Sequence, residues 1–479
     1  MGGVDRFDVA VIGAGVVGCA IARELARFPV STVVLDGADD VGDGTSKANT
    51  AILHCGFDSA PGTLESRLVR HGHRLLTGYA AQVGIPLEPV GALLVAWDDE
   101  QFAALPRLAV KAAANGYPGC RIVDRAELYR REPHLGPGAV AALEVLGESV
   151  ICPWTTTLAF ARQAVSGGVQ FRLGSQVTGV RAGAGGAPHE LVTSRGPVQA
   201  RYLVNAAGLA ADQVHRWMGC DGFTVTPRRG QLIVFDKLAR PLVNHILLPV
   251  PTARGKGVLV APTVYGNVLL GPTAEDLTDR SDCGSTAEGL AELFGHAGRI
   301  MPALVEEEVT AVYAGLRAAT EHGDYRLSGH PEKHYVCVGG IRSTGLTASM
   351  AIAEQVTGLL VEGGLGLRGQ VDLDPITMPS LGEAGLRPYQ RDDLIATDPE
   401  YGRIVCHCER VSRGEVRDAL AGVLPARNLE GLRRRTRVLM GRCQGFYCGA
   451  EVRDLMRSAQ DAGADLVVSV ADQPSPVSQ

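Results

Sequence analysis

Two groups of residues carry chemistry at opposite ends of the chain. Near the C-terminus four cysteines fall close together, Cys406 and Cys408 in "IVCHCERVSRGEV" and Cys443 and Cys448 in "MGRCQGFYCGAEV". The spacing is C-x-C, then 34 residues (409–442), then C-x4-C. Four thiolates can hold a [2Fe–2S] cluster or a zinc ion, and they can also stand as free thiols. Zinc knuckles more often pair their cysteines as C-x2-C. Near the N-terminus Gly13, Gly15 and Gly18 give G-x-G-x-x-G. They lie between a β-branched run, Asp8 to Ile12, and a helical pattern with Val17, Ile21 and Leu25 on one face. Gly13 permits a tight turn, Gly15 lets the backbone approach a pyrophosphate, and Gly18 lets helix and strand pack closely. The N–H groups of that helix's first turn, around Val16 and Val17, favour phosphate. Asp36 ends the next strand, "STVVLDGAD", 23 residues after Gly13, where a ribose hydroxyl is expected. The motif predicts dinucleotide binding without deciding between FAD and NAD. A second match, "RAGAGGAPHE" (181–190), is polar, follows no buried strand and reads as a hairpin loop.

The elements around these groups need more than one core. At 479 residues, two to four domains are expected. A formal net charge of -6 gives no general reason to bind nucleic acid or anionic lipid. The apolar segment "VAVIGAGVVGCAIA" is too short to span a bilayer, so no direct membrane insertion is expected. Eleven cysteines without a secretory signal argue for a reducing compartment, with the cytoplasm as the default and membrane association only through a partner. Cys19, Cys55, Cys120, Cys152, Cys220, Cys283 and Cys337 show no ligand spacing and read as small core residues.

Later stretches fall in a telling order. "GTSKANTAILHCGFDSAPGTLESRLVRHG" (44–72) follows the nucleotide unit, and "RYLVNAAGLAADQV" (201–214) reads as strand, small-residue turn and helix. "TPRRGQLIVFD" (226–236) and "RGKGVLVAPTVYGNVLLGPTAEDL" (254–277) read as antiparallel strands with a turn at Tyr265–Asn267. "VYAGLRAAT" (312–320) and "VCVGGIRSTGLTASMAIAEQV" (336–356) come last. This order resembles the FAD-dependent glycerol-3-phosphate dehydrogenase and 2-hydroxyglutarate dehydrogenase group of the D-amino-acid-oxidase-like superfamily, over roughly residues 5–375. The resemblance implies FAD and an α/β fold. A Rossmann-like FAD-binding domain (1–76, 150–217 and 331–375) is interleaved with an antiparallel β-sheet substrate domain (77–149 and 218–330). By the same resemblance Thr45, Ser46, Lys47, Asn49 and Thr50 contact the diphosphate and flavin. The small residues Asn205, Ala206, Ala207 and Gly208 let the backbone approach the cofactor. Gly340, Arg342, Gly345, Leu346 and Thr347 contact the flavin where a helix opens near Thr347.

Oxidation of an alcohol by a flavin needs an acceptor for the hydroxyl proton and, for an anionic substrate, a cation. His54 in "AILHCGF" is the leading base, at a position where the resemblance places a histidine near the flavin ring. Arg317 and Arg342, each among small residues, are the candidate anion ligands. Lys256 and Arg229 are weaker candidates, and Cys55 beside His54 reads as a core thiol.

The C-terminal quarter begins with a Pro-rich, polar connector (376–400) and continues into a small domain (401–462) with a helix capped near Ser412 and Glu415. A tail (463–479) follows and reads as disordered. The segment resembles the bacterioferritin-associated ferredoxin-like [2Fe–2S] domain, which is also fused to the large subunit of anaerobic glycerol-3-phosphate dehydrogenases. The resemblance implies a small helical domain with Cys406, Cys408, Cys443 and Cys448 as cluster ligands, although C-x4-C departs from the stand-alone ferredoxin. The run "RRRTR" (433–437) is expected to be a solvated face or a docking patch for an electron partner, not a nucleic-acid site. The expected function is oxidation of a small anionic alcohol, sn-glycerol 3-phosphate first, with electrons leaving through the cluster to a partner protein. The resemblance implies a quinone-reducing subunit or a second flavoprotein as that partner. L-2-hydroxyglutarate or another 2-hydroxy acid, an amine or amino acid, and a non-catalytic electron-transfer role are the alternatives.

Overall fold

The structure is a computed structural model that describes residues 4–183, 185–251 and 257–463. The tail from 464 onward and Lys256 lie outside the described residues. The nucleotide unit folds as its pattern predicts. Strand Asp5–Ile12 lies between Thr32–Leu35 and Val198–Asn205, parallel to both. Gln170–Arg172 extends the parallel sheet at one side and Tyr335–Gly339 at the other. Alternate side chains enter two separate cores. Val9, Val11 and Val34 pack toward helices Val16–Leu25 and Gly345–Glu362. Ala10, Ile12, Val33 and Leu35 pack toward helix Ala211–Trp217. Burial on both faces is why these strands read as continuous apolar runs.

The second sheet has nine strands, with the long pair Val225–Phe235 and Val309–Thr320 at its centre of contact. It is antiparallel apart from one pair, Ile246–Pro249 on Ala92–Ala96, which is parallel. Those two strands come from the two chain segments that build this domain, so no hairpin forces them to run opposite ways. Strand Arg326–His330 lies in the segment expected to belong to the substrate domain (218–330). It instead folds back through the turn at Pro331–Lys333 and pairs with Tyr335–Gly339, so it belongs to the nucleotide sheet. Helix Gly345–Glu362 opens two residues earlier than Thr347.

Segment 376–400 is packed against both neighbours instead of hanging between them. Met378 and Leu381 are buried, and the Met378 N–H donates to the Val83 carbonyl. Glu383 accepts from Lys237 and Arg410, and the buried Arg387 pairs with Glu415 at 3.0 Å. The small domain follows, with helices Arg413–Leu420, Leu429–Thr436 and Gly449–Asp461 around their own apolar cluster. Ser412 and Glu415 form a reciprocal capping box at the first of these helices. No helix among the described residues is long and apolar enough to cross a membrane.

The arginine run corrects the sequence reading. Arg434, Arg435 and Arg437 are 6%, 8% and 4% exposed, so they form neither a solvated face nor a docking patch. Arg435 holds Asp40 with two hydrogen bonds of 2.6 and 2.8 Å, and Arg434 reaches Asp43 at 2.6 Å and Asp40 at 3.1 Å. Arg437 holds Glu409 at 2.8 Å and lies 4.0 Å over the Tyr265 ring. Charges this buried persist only when paired, so Arg434 and Arg435 fasten the small domain to the nucleotide domain, and Arg437 seats it on Tyr265 of the second sheet's domain. Removing one partner leaves the others stranded. Asp40→Ala is expected to destabilise the fastened state by about 3–5 kcal/mol, enough to release the small domain. Limited proteolysis should then cut within 376–400 at a much higher rate than in the parent chain, and an unchanged rate would contradict the fastening.

Candidate active site

A cleft of about 930 Å³ runs between the two sheets. Its walls include Gly13, Gly15, Val16, Val17, Asp36, Thr45, Ser46, Asn49, Thr50, Ala207, Gly208, Gly340, Gly345 and Leu346, together with His54, Arg317 and Arg342. Gly18, Lys47 and Thr347 are not in the walls. A Cβ on Gly18 would lie 1.9 Å from the Gly13 carbonyl oxygen, so Gly18 serves helix–strand packing. Lys47 pairs with Asp43 at 3.1 Å. The buried Thr347 hydroxyl accepts from the His54 N–H at 3.0 Å.

At the nucleotide end the backbone is held open for a ligand. Gly13 has φ +107°, and a Cβ there would stand 2.4 Å from the Ala206 carbonyl oxygen. The Val16 N–H donates to the Ser46 hydroxyl at 2.9 Å, which ties the 44–50 loop to the helix N-terminus. Asp36 accepts from Ala14 N–H at 2.6 Å and Ala38 N–H at 2.8 Å, while burial pushes its carboxyl above the ordinary value. A glycine turn without room for side chains, a helix N-terminus and a carboxylate one strand away are what a dinucleotide requires. The residues present fit FAD.

At the other end His54 Nδ1 and Glu148 Oε2 are 2.9 Å apart. Glu148 is fully buried, and its other oxygen accepts from the Cys55 N–H at 2.7 Å. A carboxylate can only accept, so Nδ1 carries the hydrogen and Nε2 is the nitrogen that can take a proton. Sequence reasoning missed Glu148. Its signal was a lone acid inside the apolar stretch "VLGESVIC", 94 residues from His54.

The two candidate arginines differ. Arg342 pairs with Glu65 at 2.8 Å and donates to the Gly323 carbonyl, so its charge is committed. Arg317 donates to the carbonyls of Thr273 at 2.7 Å and Arg229 at 3.5 Å. No carboxylate among the described residues comes within ion-pair distance of it. Burial pushes the Arg317 guanidinium down to about 10, which still leaves it charged at neutral pH. Arg229 is buried and spent on Glu275 and Asp282, outside the cleft. Burial raises the Cys55 thiol, as expected of a core residue.

The four C-terminal cysteines gather as two pairs in side-chain contact, Cys406 with Cys448 and Cys408 with Cys443. The contact with Cys448 and the backbone N–H groups of Glu409 and Leu439 draw the Cys406 thiol below its ordinary value. Arg437, Leu439 and Gln444 all have positive φ. A Cβ on Gly441 would strike Cys408 Cβ at 2.2 Å, so the loop is wound tightly around the sulfurs. Two thiolate pairs with backbone donors aimed at them fit a cluster of two irons. A packed path joins this loop to the cleft. Trp154 Nε1 donates at 3.0 Å to the carbonyl of Lys47, whose neighbours Ser46 and Ala48 line the cleft, and the Trp154 ring stacks on Tyr265 at 5.3 Å. Arg437 covers the far face of that path and holds Glu409, the residue after Cys408.

Comparison with known proteins agrees with this geometry. Residues 8–359 match the FAD dependent oxidoreductase family, and residues 404–458 match the BFD-like [2Fe-2S] binding domain. A glycerol 3-phosphate dehydrogenase from Caloramator mitchellensis is 33% identical over 96% of this chain and 95% of its own length. The solved L-α-glycerophosphate oxidase of Mycoplasma pneumoniae, with FAD bound, superposes with a TM-score of 0.74 at 27% identity, covering 78% of this chain and all of that one. Human mitochondrial L-2-hydroxyglutarate dehydrogenase is 28% identical over 56% of this chain and 61% of its own. The chain therefore belongs to the FAD dependent oxidoreductase family, with a BFD-like [2Fe–2S] binding domain at its C-terminus.

Proposed function

We propose that the chain oxidises sn-glycerol 3-phosphate to dihydroxyacetone phosphate and passes the electrons through its [2Fe–2S] domain to a protein acceptor. The observation that carries this is Arg317, a half-buried guanidinium without a carboxylate partner among the described residues, in the same cleft as His54, which Glu148 holds. An unneutralised cation in a half-buried pocket is stabilised by a ligand anion, and a guanidinium fork matches phosphate oxygens. When bound, FAD supplies the hydride acceptor and the cluster supplies one-electron carriage. His54 takes the hydroxyl proton at Nε2, and Glu148 holds the ring and offsets the charge it gains. Arg342 keeps the Gly340–Gly345 turn in place through Glu65, whose other oxygen accepts from the Thr344 hydroxyl at 2.8 Å. The contacts from Lys47 through Trp154, Tyr265 and Arg437 to Glu409 support electron exit toward the cysteines.

Anaerobic titration separates the substrates. sn-Glycerol 3-phosphate should bleach the flavin absorbance promptly, and bleaching by L-2-hydroxyglutarate alone would replace this reading with the hydroxy-acid one. Arg317→Met should reduce kcat/KM for the phosphate by roughly 30- to 1,000-fold, the equivalent of ~2–4 kcal/mol for losing one partner of a charge pair. Flavin content should stay as in the parent chain. Arg342→Met should cost less in affinity, because its charge already has Glu65. His54→Gln should lower the rate of flavin bleaching by about 10²–10⁴-fold with substrate binding retained, as measured in a stopped-flow instrument.

A further inference from the structure

On the far side of the nucleotide sheet three side chains from separate elements turn toward one point. They are His215 from helix Ala211–Trp217, Cys220 from the turn after it, and His330 at the end of strand Arg326–His330. One ligand atom from each lies within 4.8 Å of the others, and Cys220 Sγ is 3.9 Å from His330 Nδ1. None of the three lines the cleft. We propose that His215, Cys220 and His330 form a binding site for a zinc-class divalent ion.

The ligand set is the borderline-soft imidazole and thiolate mixture that zinc takes from proteins. A tetrahedral zinc site places neighbouring sulfur and nitrogen atoms about 3.5 Å apart, so the set closes with small side-chain rotations and leaves the fourth position to solvent. The outer contacts are also in place. His330 Nε2 is 3.0 Å from the Ser328 hydroxyl, which leaves Nδ1 toward Cys220. His215 Nδ1 is 3.1 Å from the Tyr335 hydroxyl. Metal-bound histidines fix their orientation through such second hydrogen bonds. The Lys333 ammonium lies 3.2 Å from Cys220 Sγ and donates to the Met218 and Gly219 carbonyls at 3.0 and 2.8 Å. It holds the turn that presents Cys220.

The site would brace the cofactor turn from behind. The Tyr335 hydroxyl that meets His215 also accepts from Asn205 Nδ2 at 3.0 Å, and Asn205 Oδ1 accepts from the Ala207 N–H at 3.2 Å. Ala207 is in the cleft wall. An ion at this place therefore ties helix Ala211–Trp217 and strand Arg326–His330 to the Asn205–Ala207 turn.

Metal analysis of the untagged, cluster-loaded protein tests the proposal with zinc and cobalt as probes. The expected result is one zinc per chain beyond the iron. That zinc should be lost in Cys220→Ala and in His330→Gln, with iron and flavin contents as in the parent chain. Cobalt replacing it should give a thiolate-to-metal absorption band that Cys220→Ala abolishes. Should either variant fold poorly, a chelator added to the parent protein should lower its thermal midpoint, and restored zinc should recover it. Absence of zinc and of the cobalt band in the parent chain would overturn the site. So would zinc that stays undiminished in Cys220→Ala, since it would then belong to the C-terminal cysteines.

Discussion

Asp40 is 2% exposed and lies between two guanidiniums, both nearly as buried. Such a group cannot be left half-paired, because an unpaired charge in that setting costs more than the pair contributes. Burial works to raise the Asp40 carboxyl, yet Arg435 and Arg434 hold it below the usual carboxylate value. Glu409 is held down in the same way, against its own burial, by Arg437 and Lys237. Both carboxyls are lowered on folding, so their contribution is full above the ordinary carboxylate range and is lost as pH falls through the folded values. The fastening of the small domain is thus a neutral-pH feature that acid undoes. Its worth lies in register more than in energy. Helix Leu429–Thr436 seats on the nucleotide domain at Asp40, with Arg437 over Tyr265.

The cleft depends on the same economy of placement. Strand ends and small-residue turns from the nucleotide sheet form one wall, and strands Val225–Phe235 and Val309–Thr320 carry Arg317 on the other. The short sheet of Ile52–Leu53, Ser149–Ile151 and Leu87–Glu88 joins the two where the chain crosses between domains. It delivers His54 and Glu148 to each other at the same end of this antiparallel pair, one residue beyond Leu53 and Ser149. In the proposed reaction an imidazole fixed by a buried acid shares the cleft with a guanidinium held by carbonyl oxygens, and such an arrangement loses little entropy when the substrate arrives.

Much of this was legible because it is local. The Gly13–Gly18 turn and the Ser412–Glu415 cap are set by neighbours within a few residues, and the four cysteines stand out by their C-x-C and C-x4-C spacings. What escaped is set by residues far apart in the chain. Glu148 gains meaning only when strand Ser149–Ile151 meets Ile52–Leu53. The arginine run looks like solvated charge until helix Leu429–Thr436 meets Asp40, 395 residues away from Arg435. Arg317 and Arg342 look equivalent in their small-residue settings, and only Glu65 tells them apart. Cys220 reads as one scattered thiol until strand Arg326–His330 folds back beside it.

In the proposed reaction, substrate bound at Arg317 delivers electrons to the cysteine-held cluster through the cleft and the fastened small domain. Freeze-quench paramagnetic resonance of anaerobic protein, mixed with sn-glycerol 3-phosphate, tests it most directly. The expected result is a reduced [2Fe–2S] signal that grows in after the flavin absorbance falls, within a single turnover and without any added mediator. Full bleaching of the flavin with the cluster left oxidised would contradict it.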